Sequence, residues 1–200
     1  MFQIRIHGRG GQGVVTAAEI LAVAAFLDGK YAQAFPSFGS ERMGAPVTSF
    51  CRIDDKNIRL REPVMEPDAL IIQDPTLLHQ VDLFAGVRRS GYILINSTRS
   101  VEELGIGEML SRLPNCRIRT VPASEIALET TGRSLPNAAL VGGLAAVTGL
   151  LGPAAVNEAI RKKFPGRVGE ANAAAAEDTF QIVASGRPWR AKEESHAGTN

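Results

Sequence analysis

The sequence has 200 residues with 22 basic and 21 acidic side chains, which leaves a net charge of +1. This balance gives no overall field that would favour nucleic acid or an anionic membrane, so neither is expected as a partner. The hydrophobic fraction of 44% and the charged fraction of 22% are those of a globular chain with one sizeable core. We therefore predict one domain over residues 1–185 and a polar tail over 186–200.

The chain has few residues that carry catalytic or metal chemistry. Its two cysteines, Cys51 and Cys116, are far apart, whereas a [4Fe–4S] cluster or a structural zinc ion needs four ligands. The histidines have no two-His zinc spacing, and the sequence has no nucleophile elbow or P-loop. We predict no metal site and no catalytic residue. Isolated cysteines, no signal-peptide pattern and no sufficiently long apolar run indicate a cytoplasmic protein without a membrane span.

The first predicted unit is a strand, a glycine turn and a helix over residues 2–27. Phe2, Ile4 and Ile6 alternate with polar residues at the period of a strand, and apolar residues from Val14 onward recur at helical spacing. Four glycines in the turn permit positive φ and let a ligand approach the bare backbone. Amides at the start of the helix would point at the turn, which suits it to hold an anion.

The turn also matches the spacing of dinucleotide-binding loops. Gly8, Gly10 and Gly13 fit G-x-G-x-x-G, between a predicted strand and a predicted helix. A nicotinamide site of this kind also uses an acidic residue about 20 positions on, at the end of the second strand. The predicted second strand, residues 31–35, instead ends at Pro36 without a carboxylate. Two interpretations remain: an anion site, or a tight turn needed only for packing the helix on the sheet.

The loop over residues 35–46 is the second unusual stretch. It contains two prolines, two glycines, two phenylalanines and a Glu-Arg pair, which excludes a helix or a central strand. An ordinary surface loop would be polar and would not place Phe35, Phe38 and Met43 in solvent. The loop is therefore predicted to contact another molecule.

The rest of the chain alternates short apolar strands with helices. A β-hairpin is predicted from residues 47–53 and 58–60, and buried parallel strands from residues 69–73, 92–96 and 117–121. Helices are predicted over residues 76–84, after Ser124, and over 138–151, 154–164 and 171–184. The fold class is therefore α/β and Rossmann-like: a mostly parallel sheet with flanking helices, a β-hairpin insertion and a C-terminal helical segment.

The carboxyl ends of the parallel strands are expected to share one rim, where such sheets bind ligands. The rim would combine the glycine turn, the following loop, Asp74 and Asn96. Both side chains are candidates for ligands or for caps of the helices that follow them, and Asn137 is predicted to cap the most apolar helix. Within that helix, Gly142 and Gly143 predict close helix packing, either inside the chain or at a subunit contact.

Two motifs together resemble the gamma subunit of 2-oxoacid:ferredoxin (acceptor) oxidoreductases, of which pyruvate:ferredoxin oxidoreductase is the best known. The first is the glycine turn, formed by Gly8, Arg9, Gly10, Gly11, Gln12 and Gly13. The second is the following loop over residues 35–46, whose centre is formed by Phe38, Gly39, Ser40, Glu41, Arg42 and Met43. Weaker matches are Asp68, Asp74, Asn137, Gly142 and Asn172. This chain has Met43 where the family usually has a second Arg or Lys, which removes a charge from the loop.

The resemblance implies a subunit of an enzyme that oxidatively decarboxylates a 2-oxoacid to an acyl-CoA. Thiamine diphosphate would lie between alpha and beta subunits, and [4Fe–4S] clusters would lie in beta and in a ferredoxin-like delta subunit. Electrons would pass to ferredoxin or, through a partner flavoprotein containing FAD, to NAD. The gamma chain would pack beside the active site, serve in assembly and help to bind coenzyme A. The glycine turn would hold a phosphate with Arg9 as a bidentate donor, while Glu41 and Arg42 reach a neighbouring subunit or the mouth of the active site.

Other hypotheses remain open at the level of the sequence. A free-standing Rossmann-type enzyme would bind NAD as an isolated chain, although the missing carboxylate after the second strand argues against it. A small flavin- or nucleotide-binding assembly protein would be a homo-oligomer without iron. Both motifs could also serve only to hold a subunit interface, because interfaces favour Arg, Met and aromatic side chains.

Overall fold

The computed structural model describes residues 1–37 and 43–186. The strands are β1 (Phe2–Arg9), β2 (Tyr31–Pro36), β3 (Pro46–Asp54), β4 (Ala69–Ile72), β5 (Tyr92–Asn96) and β6 (Arg117–Val121). The helices are α1 (Val14–Leu27), α2 (Gly107–Ser111), α3 (Ala123–Thr131), α4 (Asn137–Thr148), α5 (Pro153–Lys163) and α6 (Arg167–Ser185). A 3₁₀ helix covers Pro75–His79. The predicted tail, with Trp189, lies outside the described residues from position 187 onward.

One six-stranded sheet organises these elements, in the order β2-β3-β1-β4-β5-β6. β1, β4, β5 and β6 are parallel to one another, whereas β3 is antiparallel to both of its neighbours, β1 and β2. The predicted α/β class with a mostly parallel sheet is confirmed. β1 lies in the interior of the sheet, so its polar Arg5 and His7 are buried, with exposed fractions of 8% and 9%.

Two apolar cores cover the two faces of the sheet. The larger core packs α1, α4, α5 and α6 against side chains such as Ile6 and Ile71. The smaller core packs the 3₁₀ helix and the region of α2 against Leu70 and Ile72. The buried guanidinium of Arg5 holds the cover of this second face, since it donates to the carbonyls of residues 83 and 85 at 2.9 and 2.7 Å.

Two predicted elements are wrong. Residues 58–60 form no strand, because β3 is already paired on both edges, with β1 on one side and β2 on the other. The segment that follows β3 is held against the sheet instead, where Arg52 Nη2 donates to the Glu62 carbonyl at 2.6 Å. The helix predicted over residues 76–84 is only the five-residue 3₁₀ helix, which ends at His79.

Helix α4 is buried from Asn137 to Ala145 and packs most closely against α6. A Cβ atom on Gly142 would lie 2.8 Å from Cα of Ala176 in α6, and one on Gly143 would lie 3.0 Å from a methyl of Leu94 in β5. The close packing predicted from these two glycines is therefore intramolecular. Neither α4 nor any other helix of the described residues is long and apolar enough to cross a membrane.

Candidate functional site

The glycine turn connects the end of β1 to the start of α1. Gly11 and Gly13 have φ values of +93° and +73°, in the left-handed region that favours glycine. Gly13 is the N-cap of α1 and has no side chain to cap it, so the first amides of the helix are left without a capping partner. The amides of Gly11 and Gly13 donate to no acceptor in the described part of the chain. The turn thus presents a group of free N–H donors, an arrangement that binds anions.

Arg9 ties the turn to two other segments. Its Nε donates to Asp74 Oδ2 at 3.1 Å, and its Nη2 donates to Thr76 Oγ1 and Gln80 Oε1 at 2.8 and 2.9 Å. Its Nη1 donates to the carbonyl of Gly44 at 3.1 Å. Arg9 is therefore a clamp in this structure. Arg9 can contact a phosphate only if it gives up one of these four hydrogen bonds.

Asp74 lies at the centre of this clamp. Its Oδ1 accepts hydrogen bonds from the amide and hydroxyl of Thr76 at 2.9 and 2.6 Å, so it caps the 3₁₀ helix, one of its two predicted roles. Its Oδ2 also accepts from Gln12 Nε2 at 2.9 Å. Burial alone would raise the pKa of Asp74, but the hydrogen bonds from Thr76 and Gln12 and the charge of Arg9 outweigh it and lower the pKa. The carboxylate is thus ionised and fully engaged by the protein.

The glycine turn and the end of the following loop are joined directly. Gly10 donates to the carbonyl of Ala45 at 2.9 Å, and Gly44 donates to the carbonyl of Gly10 at 3.1 Å. A Cβ atom on Gly11 would lie 2.5 Å from the sulfur of Met43, whose exposed fraction is 88%. The predicted common rim is therefore confirmed for this part of the loop. Five loop residues predicted to form the contact lie outside the described residues: Phe38, Gly39, Ser40, Glu41 and Arg42.

Two asparagines predicted as possible caps differ in what they do. Asn96 Oδ1 accepts from the amide of Ser124 at 3.1 Å in the first turn of α3, and its Nδ2 donates to the Gln73 carbonyl at 2.9 Å. Asn96 therefore does not cap the helix that follows it, α2, whose N-cap is Ile106. It ties β4 and the start of α3 to the end of β5 instead. Asn137 is not a cap, because the N-cap of α4 is Pro136 and no side chain caps that helix. Its side chain is instead buried, with an exposed fraction of 5%.

Sequence reasoning missed a cleft beside the glycine turn. The cleft has a volume of about 680 Å³ and lies between the starts of α1, α4 and α6. Its polar lining residues are Thr16, Thr131, Arg133, Asn137, Arg167 and Asn172, and Gly11 and Gly13 form one wall. These residues belong to three separate segments, 11–16, 131–137 and 164–172, so only the packing of the helices brings them together.

The strand order separates the glycine turn from the end of β2. In a dinucleotide site the acidic residue on the second strand reaches the ribose beside the turn. Here β3 lies between β1 and β2, so the end of β2 is displaced by two strand spacings, about 10 Å. The geometry disfavours an NAD site at this turn, in agreement with the missing carboxylate.

The family model of pyruvate ferredoxin/flavodoxin oxidoreductases matches residues 3–182. The chain belongs to this family. The common gamma subunit of the pyruvate/ketoisovalerate oxidoreductases of Pyrococcus abyssi is 50% identical over 181 residues, which are 90% of this chain and 96% of the relative. The crystal structure of pyruvate oxidoreductase subunit PORC from Thermotoga maritima aligns with a TM-score of 0.76 and 36% identity over 90% of this chain and 95% of the other. The resemblance to gamma subunits is thereby confirmed.

A more distant likeness is to part of a longer chain, with which this protein shares the fold. The structure of 2-oxoglutarate:ferredoxin oxidoreductase from Magnetococcus marinus, with 2-oxoglutarate, coenzyme A and succinyl-CoA bound, aligns with a TM-score of 0.72 at 16% identity. The alignment covers 93% of this chain and 31% of the other. This gamma-type fold therefore also occurs as one part of a longer chain.

Proposed function

We propose that this gamma-type chain works in a multisubunit 2-oxoacid:ferredoxin oxidoreductase, which converts a 2-oxoacid to an acyl-CoA in the cytoplasm. Its partners are alpha, beta and ferredoxin-like delta subunits, and electrons leave to ferredoxin or, through a flavoprotein, to NAD. The proposal is carried by one observation: the Pyrococcus abyssi gamma subunit is 50% identical over 96% of its own length.

The cofactors of the reaction belong to the partner subunits in this proposal. Among residues 1–37 and 43–186, no group of three or more His, Cys, Asp or Glu side chains is placed to hold a metal ion. Cys51 is buried, and burial raises the pKa of its thiol to about 12, so it offers no thiolate to an iron atom. The residues of this chain therefore do not fit a [4Fe–4S] cluster. Thiamine diphosphate and the clusters supply the decarboxylation and electron-transfer chemistry from the other chains.

The contribution of this chain is to bind and position coenzyme A. The free amides of Gly11, Gly13 and the start of α1 suit a phosphate group of that substrate. The Arg9 clamp fixes the turn before the ligand arrives, which lowers the entropy lost on binding. The Magnetococcus marinus structure supports this choice of ligand, because a protein with the same fold is described with coenzyme A bound.

A second contribution is to the assembly of the complex, through a contact between Met43 and a neighbouring subunit. Its side chain is almost fully exposed and rests against the glycine turn. Methionine is enriched at protein interfaces, where its flexible side chain adapts to a partner. A neighbouring subunit that covers Met43 would also close the glycine turn from water.

The proposal is tested first by purifying the tagged chain from its native source under anaerobic conditions. We expect brown material that contains iron, thiamine diphosphate and at least two larger chains. A lone chain without iron would contradict the role as a subunit. Calorimetric titration of the purified protein with coenzyme A then tests whether the glycine turn binds this substrate.

The titration compares two glycine variants that both place alanine at a positive φ. Gly11→Ala places a Cβ atom against Met43 at a φ of +93°, whereas Gly29→Ala has a φ of +75° but meets nothing within 4 Å. We expect Gly11→Ala to weaken coenzyme A binding at least about tenfold, which corresponds to 1.4 kcal/mol. Gly29→Ala should bind as the unaltered chain does. Equal binding by both variants would show that the turn serves only packing.

A further inference from the structure

The two edges of the sheet differ in how their side chains guard them. β2 and β6 lie at the two ends of the strand order, and in the described part of the chain each pairs with one strand. An unpaired edge is a template for a strand of another chain, and natural sheets oppose such pairing with charged side chains. β6 follows this rule, since Arg117 and Arg119 are exposed. β2 has no charged residue, so it is the edge that is open to another strand.

The backbone groups of Ala32 and Ala34 point to the open side of β2. The amide of Ser37, just beyond β2, donates to the carbonyl of Thr48 in β3 at 2.8 Å. Hydrogen-bonded positions alternate along an antiparallel pair, so the odd-numbered residues of β2 exchange their bonds with β3. The N–H and C=O groups of Ala32 and Ala34 therefore face away from the sheet. Pro36, which lacks an N–H group, lies beyond this stretch.

The sequence of β2 is self-complementary about Gln33. Its first five residues read aromatic, alanine, glutamine, alanine, aromatic in either direction: Tyr31, Ala32, Gln33, Ala34 and Phe35. If two antiparallel copies pair about a two-fold axis at Gln33, alanine meets alanine and Tyr31 meets Phe35 of the other copy. Every backbone donor and acceptor of the two alanines is then used. Cross-strand aromatic pairs stabilise sheets, and a two-fold contact uses the same surface of both chains. The edge therefore fits a second copy of this chain.

An apolar patch on α1 borders this edge. Val23, Phe26 and Leu27 are exposed and are neighbours on the helix surface, at spacings of three and four residues. α1 packs on β2, and Tyr31 follows the helix after a short turn. The exposed fractions of Phe26 and Tyr31 are 75% and 52%. A strand that pairs with β2 would therefore bring its own chain against these side chains.

The area of this surface is sufficient for a dimer. An aromatic side chain has an area of about 200 Å², so Phe26 and Tyr31 together expose about 250 Å². A specific interface needs about 500 Å² from each chain. The aromatic pair supplies about half of this area, and the strand edge with Val23 and Leu27 supplies the rest.

The charges beside the patch are paired within the chain. On α1, Glu19 accepts a hydrogen bond from Lys163 Nζ at 2.6 Å, and Lys30 Nζ lies 3.5 Å from Asp55. These two charges therefore do not oppose the approach of a second copy. At β6, by contrast, a two-fold pairing about the middle of the strand would place Arg119 opposite its own copy, and like charges in that position are destabilising.

We propose that β2 and α1 form an interface between two copies of this chain. The sheet continues across a two-fold axis at Gln33, and the apolar patches of the two α1 helices lie on the same face and are covered. The proposal does not rest on the proposed function, because the contact forms in the isolated chain as well as within an oxidoreductase. In a complex, the interface would hold two gamma-type chains side by side.

The first test is sedimentation equilibrium of the 200-residue chain at micromolar concentration. We expect a mass of twice the 21.3 kDa of one chain. Phe26→Glu places an unpaired charge in the contact and should weaken dimerisation at least about tenfold. Leu128→Glu is the matched control, because it adds the same charge at an exposed residue of α3 and should leave the dimer unchanged.

A disulfide cross-link tests the register. Residues that oppose each other in a non-hydrogen-bonded pair have Cα atoms about 4.5 Å apart, which a disulfide can span. Gln33→Cys should therefore link two chains under mild oxidation. Tyr31→Cys is the control, because residue 31 of the other copy lies about four positions, or about 13 Å, further along the strand. The unaltered chain controls for Cys51 and Cys116.

The outcomes separate this interface from its alternatives. A monomeric unaltered chain, equal weakening by Leu128→Glu, or a dimer that Gln33→Cys does not link would overturn the proposal. Linking by Tyr31→Cys as readily as by Gln33→Cys would also overturn it. In the natively purified complex, a link from Gln33→Cys to a different subunit would assign the edge to that subunit and refute the dimer. A chain that dimerises but purifies without partner subunits would refute only the proposed function.

Discussion

Replacing Gly142 with alanine should destabilise the protein by pushing α4 away from α6. The added Cβ atom would lie 2.7 Å from the carbonyl carbon and 2.8 Å from Cα of Ala176. These are backbone atoms of a long helix, so no side-chain rotation relieves the contact. The same substitution at Gly107, in α2, meets nothing within 4 Å and is the control.

The expected change in the free energy of unfolding follows from two opposing effects. Overpacking a core costs about 1–3 kcal/mol, and a backbone contact belongs at the upper end of that range. Alanine recovers up to about 1 kcal/mol of helix propensity relative to glycine. Gly142→Ala should therefore lose about 2 kcal/mol, whereas Gly107→Ala should gain up to about 1 kcal/mol. The two variants should differ by about 2–3 kcal/mol in the free energy of unfolding.

Urea denaturation measures this difference. With a slope of about 3 kcal/mol per molar urea for a chain of this size, the two midpoints should differ by about 1 M. Gly143→Ala should lie between them, because its neighbours at 3.0 and 3.1 Å are the side chains of Leu94 and Thr179, which can move. A Gly142→Ala midpoint equal to that of Gly107→Ala would refute the argument that α4 and α6 meet backbone to backbone.

Three further predictions concern the interior and the clamp. Burial, followed by the charge of Arg5, lowers the pKa of His7 from 6.5 to about 4. As the pH falls, His7 is therefore protonated in the unfolded chain before it is protonated in the folded one. The neutral, buried His7 contributes about 3 kcal/mol of stability, which is complete above pH 6.5 and lost as the pH falls towards 4. A His7→Gln variant should flatten the dependence of the urea midpoint on pH in that window, and a profile parallel to that of the unaltered chain would contradict the assignment. Arg9→Gln removes the bond to the Gly44 carbonyl and should speed amide exchange in residues 43–45 at least about tenfold; unchanged exchange would mean that the clamp contributes nothing. Cys51 is fully buried, so a thiol reagent at pH 8 should leave it unmodified until the protein is unfolded, and rapid native labelling at this position would refute the packing of β3.

The local pattern of apolar residues was sufficient to predict much of the fold. The helix predicted over residues 14–27 is α1, and the apolar runs at 69–73, 92–96 and 117–121 are β4, β5 and β6 to within one residue. These elements are encoded by periodicity over a few turns or a few alternations. Such patterns need no knowledge of distant partners.

The errors share a non-local cause. Residues 58–60 have the pattern of a strand, but pairing depends on a free edge, and β1 and β2 already occupy both edges of β3. The burial of Arg5 and Arg52, on which no prediction was made, has the same origin, because a charged side chain normally predicts a solvent-facing position. Their carbonyl partners come from loops whose paths a single sequence does not define.

The candidate site was predicted only in part. The glycine turn followed from the order of strand, turn and helix, and a common rim was predicted to bring the following loop near it, but the specific contact of Met43 with the turn was not predicted. The cleft did not, because its lining comes from the glycine turn, residues 131–137 and residues 164–172, three segments that meet only after the helices pack. The role of Arg9 also depended on partners from elsewhere in the chain, which occupy the donors expected for a ligand.

Hydrogen bonds join Gly10 to the end of the following loop, so the backbone of the glycine turn and residues 43–45 move together. A partner chain that shifts Met43 must also shift the backbone of the turn, and a ligand that draws in the turn must also move Met43. Two binding events that act on one unit in this way are thermodynamically linked, and each changes the affinity of the other by the same factor. Subunit association and ligand affinity would then be two measurements of one coupling energy.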